Sequence, residues 1–196
     1  ITPFNDPLAM VCHKVGPALA GGNAVVLKPG TATPLSALRL ADDLMRAGLP
    51  PGRLNVVTGR GAEVGDAIVG DPRVRLVTFT GGLDTGLRIT RIAGIKKLSM
   101  ELGSNSPVIV LEDANLDRAV AAIADGAFAQ AGQNCLSVQR VFIQDTIYGL
   151  FRQRFVDHVG RLRAGSSMDE TTDVCAMITL AHAERVDRWI REAVDG

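Results

Sequence analysis

Short apolar runs alternate with longer stretches of helical periodicity along most of this chain, an order that predicts an α/β fold with mainly parallel strands. Leu8, Val11, Val15 and Leu19 fall at helical spacing and predict a helix over 6–20, closed by Gly21-Gly22. Residues 24–28 read as a strand. Thr33-Pro34 supplies a cap followed by proline at the first helical position, predicting a helix to about Arg46 that 47–52 (AGLPPG) breaks. Strands over 54–57, 74–79 and 96–100, with helices over 62–69 and 85–93, continue the pattern. Past Gly103-Ser104-Asn105-Ser106-Pro107, a strand over 108–111 leads to a helix over 116–129 that Asn115 can cap. A Gly/Gln/Asn loop follows, then a strand over 138–144 and a helix from Asp145 to about Leu162. The break near Gly103 predicts two domains, 1–102 and 103–196.

Composition narrows the partners. Of 196 residues, 46% are hydrophobic and 21% charged, enough to bury a real core. The net charge is zero, so electrostatics favours neither nucleic acid nor an anionic membrane. Apolar runs stay well short of the roughly 20 residues that a spanning helix needs, and no basic-then-apolar leader opens the sequence. The chain starts at Ile1 without Met and stops at Gly196 just past a helical pattern, so a piece of a longer protein is expected. Cys12, Cys135 and Cys175 are odd in number and unclustered, which argues against a disulfide framework or a metal site and for a reducing cytoplasm. A lone thiol there is either a small buried hydrophobe or a reactive group.

Cys135 is the thiol whose neighbours suggest chemistry. It follows the small polar run Gly132-Gln133-Asn134, a loop that can leave backbone N–H groups to polarise a thiolate and receive an oxyanion, although a structural thiol fits the local sequence too. Cys12, within an amphipathic helix, reads as core, and Cys175 reads as structural. Glu101 closes a strand among apolar neighbours, where a carboxylate serves as a general base or simply meets solvent. Asn5 lies between Pro3-Phe4 and Asp6-Pro7, either as a turn residue or as an amide donor to an oxyanion. Lys28-Pro29-Gly30-Thr31 follows a strand at the sheet end where open α/β folds bind ligands. Phe79-Thr80-Gly81-Gly82 joins strand to helix and can turn backbone N–H groups toward a pyrophosphate. Gly59-Arg60-Gly61-Ala62-Glu63-Val64-Gly65 resembles a dinucleotide fingerprint with one residue too many before its last glycine.

Taken in order, Pro3-Phe4-Asn5, Lys28-Pro29, Phe79-Thr80-Gly81, Glu101-Leu102-Gly103 and Gly132-Gln133-Asn134-Cys135 resemble the aldehyde dehydrogenase superfamily. The resemblance covers essentially the whole chain and implies a Rossmann-like parallel-sheet nucleotide domain followed by the start of an α/β catalytic domain. It implies that Cys135 is the nucleophile, that Asn5 donates to the oxyanion, and that Glu101 activates the deacylating water. It places NAD or NADP on Lys28, Pro29, Thr31, Gly81, Gly82, Thr85 and Leu102, with a small-molecule aldehyde as substrate and a homodimer or homotetramer as the full-length assembly.

Three departures stand out. Thr31 occupies a position where many NAD-preferring members carry Glu, so a 2′-phosphate is no longer repelled. Gly82 replaces a common Ser. Gly103-Ser104 replaces a frequent Gly-Gly and, with Asn105-Ser106-Pro107 and Ser137-Val138-Gln139-Arg140, resembles a subgroup that includes phosphonoacetaldehyde and lactaldehyde dehydrogenases. A CoA-acylating semialdehyde dehydrogenase is the alternative within oxidoreductases, against which Glu101 counts. A nucleotide-binding module without turnover is the alternative outside them.

Overall fold

The computed structural model describes residues 1–196, which divide into two compact units, Ile1–Gly103 and Ser104–Gly196. The first unit runs α1 (Ala9–Ala20), β1 (Val25–Leu27), α2 (Leu35–Arg46), β2 (Leu54–Val56), a π-helical turn (Gly61–Gly65), α3 (Asp66–Gly70), β3 (Leu76–Thr80), α4 (Leu83–Ala93) and β4 (Lys97–Glu101). β1 pairs with β2 and β3 with β4, both parallel. Residues 1–2 hydrogen-bond to both pairs: the Ile1 nitrogen donates to the Thr78 carbonyl (2.8 Å), Thr80 N–H to the Ile1 carbonyl (3.2 Å), and Thr2 N–H to the Lys28 carbonyl (3.1 Å). Parallel strands need helical crossovers, and these supply the apolar faces of the core. Val11 and Val15 of α1 meet Leu27, Ala37, Ala41 and Leu54, while Val69, Val77, Phe79, Ile89 and Ala93 form a second cluster. Each fully buried Val, Leu, Ile or Phe among them contributes about 1.5–3 kcal/mol.

The second unit runs β5 (Ser106–Val110), α5 (Leu116–Phe128), a short turn (Ala129–Gly132), β6 (Val138–Ile143), α6 (Asp145–Val159), β7 (Ala164–Gly165), β8 (Val174–Cys175) and α7 (Leu180–Asp195). β5 pairs with β6 and β7 with β8, again parallel. Val110, Val120, Ile123 and Phe151 are the buried centre, and the Phe151 and Phe155 rings stack at 5.9 Å. Asn115 caps α5 as its sequence suggests, its side chain accepting from Arg118 N–H at 3.0 Å. No helix is long and apolar enough to cross a membrane.

Several local readings change. Thr33 does not cap α2 with its side chain: the hydroxyl donates to the Phe4 carbonyl at 3.1 Å, tying residues 3–5 to the start of that helix. Cys12 is exposed rather than core, because Val11 and Val15, one helical turn apart, define the buried face of α1. The surplus residue in the Gly59–Gly65 segment is taken up by the wider π-helical turn, so it does not open an ordinary α-helix. Strands β7 and β8, and the full extent of α7, lie beyond what periodicity resolved.

Gly30 is a position of close backbone approach. A Cβ placed there would lie 2.9 Å from both the Phe4 Cα and the Pro3 carbonyl oxygen, neither of which can rotate aside. Gly30→Ala is therefore expected to destabilise the protein by about 1–3 kcal/mol, seen as a lower urea midpoint. An unchanged midpoint would show that residues 3–4 are not pressed onto Gly30.

Candidate active site

In a parallel sheet the segments leaving the strands emerge at one end, and the first unit collects its candidate residues there. Lys28 directly follows β1 and is buried. Its amine donates to the Pro29 carbonyl (3.0 Å) and to Thr31 Oγ1 (3.3 Å), and the Thr31 hydroxyl donates to the Gly59 carbonyl (3.1 Å). The Lys28 stem runs past Gly65, where an added Cβ would sit 3.8 Å from Cδ. Burial pushes the Lys28 amine below the ordinary lysine range. These contacts join the segments after β1 and β2 into one cluster. Gly59 and Gly65 belong to it, and their incomplete fingerprint spacing was the only sequence signal for them.

Beyond β3, the Phe79 ring lies where a Gly81 side chain would be, 2.5 Å from the Cβ position, and Gly81 N–H donates to the Glu101 carbonyl at 3.0 Å. That amide is consequently engaged. Gly82 is the N-cap of α4, with nothing within 4 Å of where its Cβ would be. Thr85 lies exposed in the first turn of α4, and Leu102 packs against the helix at Gly86, whose Cβ would meet Leu102 Cδ2 at 2.6 Å. The first turn of α4 therefore presents N–H groups beside an open surface, as an anionic group requires.

Glu101 ends β4 opposite Thr80, exposed and in none of the ion pairs. Lys14, which sequence reading passed over, donates to Thr78 Oγ1 at 2.8 Å. Burial lowers its pKa, and the negative charge of Glu101 opposes that shift. Its position three residues after Val11 on the inner side of α1 was the available signal. Asn5 is half-buried in the bend of residues 4–6, which the Thr33–Phe4 bond and the Gly30 contact hold from two sides.

Cys135 belongs to the second unit and is exposed, which sets aside a buried structural thiol. Before it, Gln130 (φ 54°), Ala131 (φ 56°) and Gly132 (φ 70°) are successively left-handed, a conformation that costs a residue with a side chain about 1–2 kcal/mol. The Gln133 side chain clamps the loop: Oε1 accepts from Ile178 N–H (3.0 Å) and Nε2 donates to the Gln130 carbonyl (3.1 Å). Asn134 Oδ1 accepts from Leu136 N–H (3.0 Å) in an Asx turn and lies 3.7 Å from the Cys135 sulfur. The buried Ser137 donates its hydroxyl to the Ala127 carbonyl (3.1 Å) and its N–H to the Asn134 carbonyl (3.1 Å). These bonds engage the amides on the far side of the thiol and leave Cys135 N–H unused. The pieces present are thus an exposed thiol with a spare N–H, a carboxylate at a strand end, and a lysine-centred cluster beside an open helix N-terminus.

Comparison with known proteins gives one family. Residues 1–196 match the aldehyde dehydrogenase family. The 3-sulfolactaldehyde dehydrogenase of Priestia aryabhattai is 49% identical over 195 residues, covering 100% of this chain and 41% of that protein. Among solved structures, the glyceraldehyde-3-phosphate dehydrogenase GapN of Methanocaldococcus jannaschii, complexed with NADP, superposes with a TM-score of 0.94 at 41% identity, over 98% of this chain and 43% of that one. An NAD-dependent aldehyde dehydrogenase from Sinorhizobium meliloti gives a TM-score of 0.96 at 37% identity, over 99% and 39%. The chain spans about two fifths of the length of each of these proteins.

The left-handed turn before the thiol yields a direct test. Ala131→Gly removes the side-chain penalty at φ 56° and should stabilise the protein by up to about 1 kcal/mol in urea unfolding. A lower midpoint would mean that no strain is held at Ala131.

Proposed function

The chain belongs to the aldehyde dehydrogenase family, and on that footing we propose that the protein oxidises a small-molecule aldehyde to its carboxylic acid with NAD or NADP. The observation that carries this reading is the exposed Cys135 with its own N–H unused, held by a loop that is strained and hydrogen-bonded on both sides. Strain of that kind persists where surrounding contacts over-determine it, as at sites of chemistry.

The Cys135 thiolate attacks the aldehyde carbonyl and forms a C–S bond, giving a thiohemiacetal whose oxygen carries the negative charge. Cys135 N–H and the Asn5 side-chain amide donate to that oxygen. Bound NAD or NADP would supply the acceptor for the hydride lost from the substrate carbon, and Cys135 would hold the oxidised acyl group as a thioester. Glu101 takes a proton from water, the resulting hydroxide attacks the thioester, and Cys135 leaves as thiolate. A carboxylate in this role favours hydrolysis over thiolysis by coenzyme A.

The residues of the first unit suit a dinucleotide. Lys28 has two of its three donors engaged, so one remains for a ribose or phosphate oxygen. The first turn of α4, opened by Gly82 and followed by Thr85, suits the diphosphate. Gly81, whose amide is already engaged, contributes its small size, and Leu102 backs the same helix. Pro29 gives its carbonyl to Lys28. Thr31 places a neutral hydroxyl where a carboxylate would exclude a 2′-phosphate, so both NAD and NADP can be accommodated. Resemblance to 3-sulfolactaldehyde dehydrogenase supports an aldehyde with an anionic group near its carbonyl as the substrate class. Full-length subunits are proposed to assemble as a homodimer or homotetramer in a reducing cytoplasm.

Two substitutions test the chemistry in the full-length protein. Cys135→Ala is expected to abolish NAD(P)H formation across a panel of aldehydes, and retained turnover would remove Cys135 as nucleophile. Glu101→Gln is expected to leave a first-turnover release of NAD(P)H while slowing the steady state by about 10²–10⁴-fold. A steady-state rate equal to the parent's would take Glu101 out of deacylation.

A further inference from the structure

Ser104 opens the second unit just ahead of β5, and its hydroxyl donates to the backbone carbonyl of Cys135. A serine hydroxyl has one proton to give. With that proton on the Cys135 carbonyl, the 3.0 Å contact between Ser104 Oγ and Ser106 Oγ fixes Ser106 as the donor to Ser104. The result is a directional chain, Ser106 to Ser104 to the Cys135 carbonyl, in which each bond polarises the next. The same peptide unit is held at its other end, where Leu136 N–H donates to Asn134 Oδ1 at 3.0 Å. Both polar groups of the Cys135–Leu136 peptide are therefore pinned, which fixes the backbone on which the thiol is mounted.

The scaffold for this chain is irregular at that point. Ser106 pairs with Val138 and Pro107 with Arg140, so the β5–β6 register shifts by one residue beside the nucleophile loop. Proline has no N–H to give the ladder, and bulges that re-aim side chains gather next to active sites. The shift sits where β6 leaves the loop, so the anchor of the Ser106–Ser104 chain and the exit of the Cys135 loop are set together.

Resting on the reading of Cys135 as nucleophile, we propose that Ser104 is a positioning residue which, through its bond to the Cys135 carbonyl and relayed from Ser106, aims the thiol and the Cys135 N–H at the substrate carbonyl. The hydroxyl touches no reacting atom. It lowers the barrier by keeping the Cys135 backbone in one orientation, since a misplacement near 1 Å costs a reacting pair about 10²-fold. A glycine at this place cannot do so, which makes the positioning specific to chains that carry Gly-Ser after the Glu-Leu pair.

The test compares Ser104→Ala, Ser104→Thr and Cys135→Ala in the full-length protein, reading kcat, KM, the single-turnover rate of NAD(P)H formation, and alkylation of Cys135 by iodoacetamide. Ser104→Ala is expected to lower kcat and the single-turnover rate by about 10-fold with KM changed less than about 2-fold, and to slow alkylation. Ser104→Thr, which keeps the hydroxyl, is expected to restore most of the rate. If Ser104→Ala keeps the parent's single-turnover rate while Cys135→Ala is inactive, the positioning role is overturned and the nucleophile stands. If Ala and Thr fall equally and both melt early, Ser104 is structural only and the proposal fails. Turnover by Cys135→Ala would overturn the nucleophile itself, and the Ser104 proposal with it, by a separate reading.

Discussion

Parallel hydrogen bonding is the constraint from which the arrangement of the first unit follows. A parallel neighbour cannot be reached by a tight turn, so the chain must cross back over the sheet, and helices do this while burying Val11, Val15, Ala37, Val69 and Ile89. The same geometry places the residues after β1, β2, β3 and β4 at one end. For that reason Lys28 meets Gly59 through the Thr31 hydroxyl, 31 positions on, and Gly81 bonds to Glu101, 20 positions on. The bonds from Ile1 and Thr2 to Lys28, Thr78 and Thr80 link the two strand pairs and carry Asn5 to that same end.

The second unit meets a different problem, that of presenting a thiol on a loop without letting the loop wander. Two residues with side chains are left-handed, and both would prefer another conformation. Side-chain bonds to backbone hold them: Gln133 to Gln130 and Ile178, Asn134 to Leu136, Ser137 to Ala127, and Ser104 to Cys135. Each neutral bond contributes about 0.5–1.5 kcal/mol, so several together offset the left-handed cost. Ser137 alone among the four anchors is fully buried, and it ties the loop to the end of α5.

Most helices and strands were legible because their signals are local. Hydrophobic spacing located α1, Thr33-Pro34 marked the start of α2, and Asn115 declared the cap of α5. What could not be read depends on contacts between distant residues. Thr33 forgoes the cap of α2 because the Phe4 carbonyl, carried in by the backbone packed on Gly30, is within reach of its hydroxyl. Cys12 sits one residue from a buried valine, and one residue on a helix turns the side chain by about 100°. The role of Ser104 was visible only as a departure from a common Gly-Gly pair, since the Cys135 carbonyl that it reaches is 31 residues away. Lys14 was hidden for a similar reason, its partner Thr78 lying 64 positions on.

Under the proposed role of Lys28, burial and ligand affinity would be one device. Removing an ammonium from water is costly, and the fall in its pKa records that cost. Two hydrogen bonds, to the Pro29 carbonyl and the Thr31 hydroxyl, offset part of it, but both acceptors are neutral. An anionic oxygen at the third donor would stabilise the charged amine where neutral groups only partly do, and so would raise its pKa on binding. By linkage, the protonated site would then be the one to bind a phosphate tightly. With a carboxylate in place of Thr31 that compensation would already be spent in the free protein, and a 2′-phosphate would meet repulsion. The Thr31 hydroxyl leaves the charge of Lys28 without a compensating carboxylate, so under the proposed cofactor role that charge would remain for a phosphate.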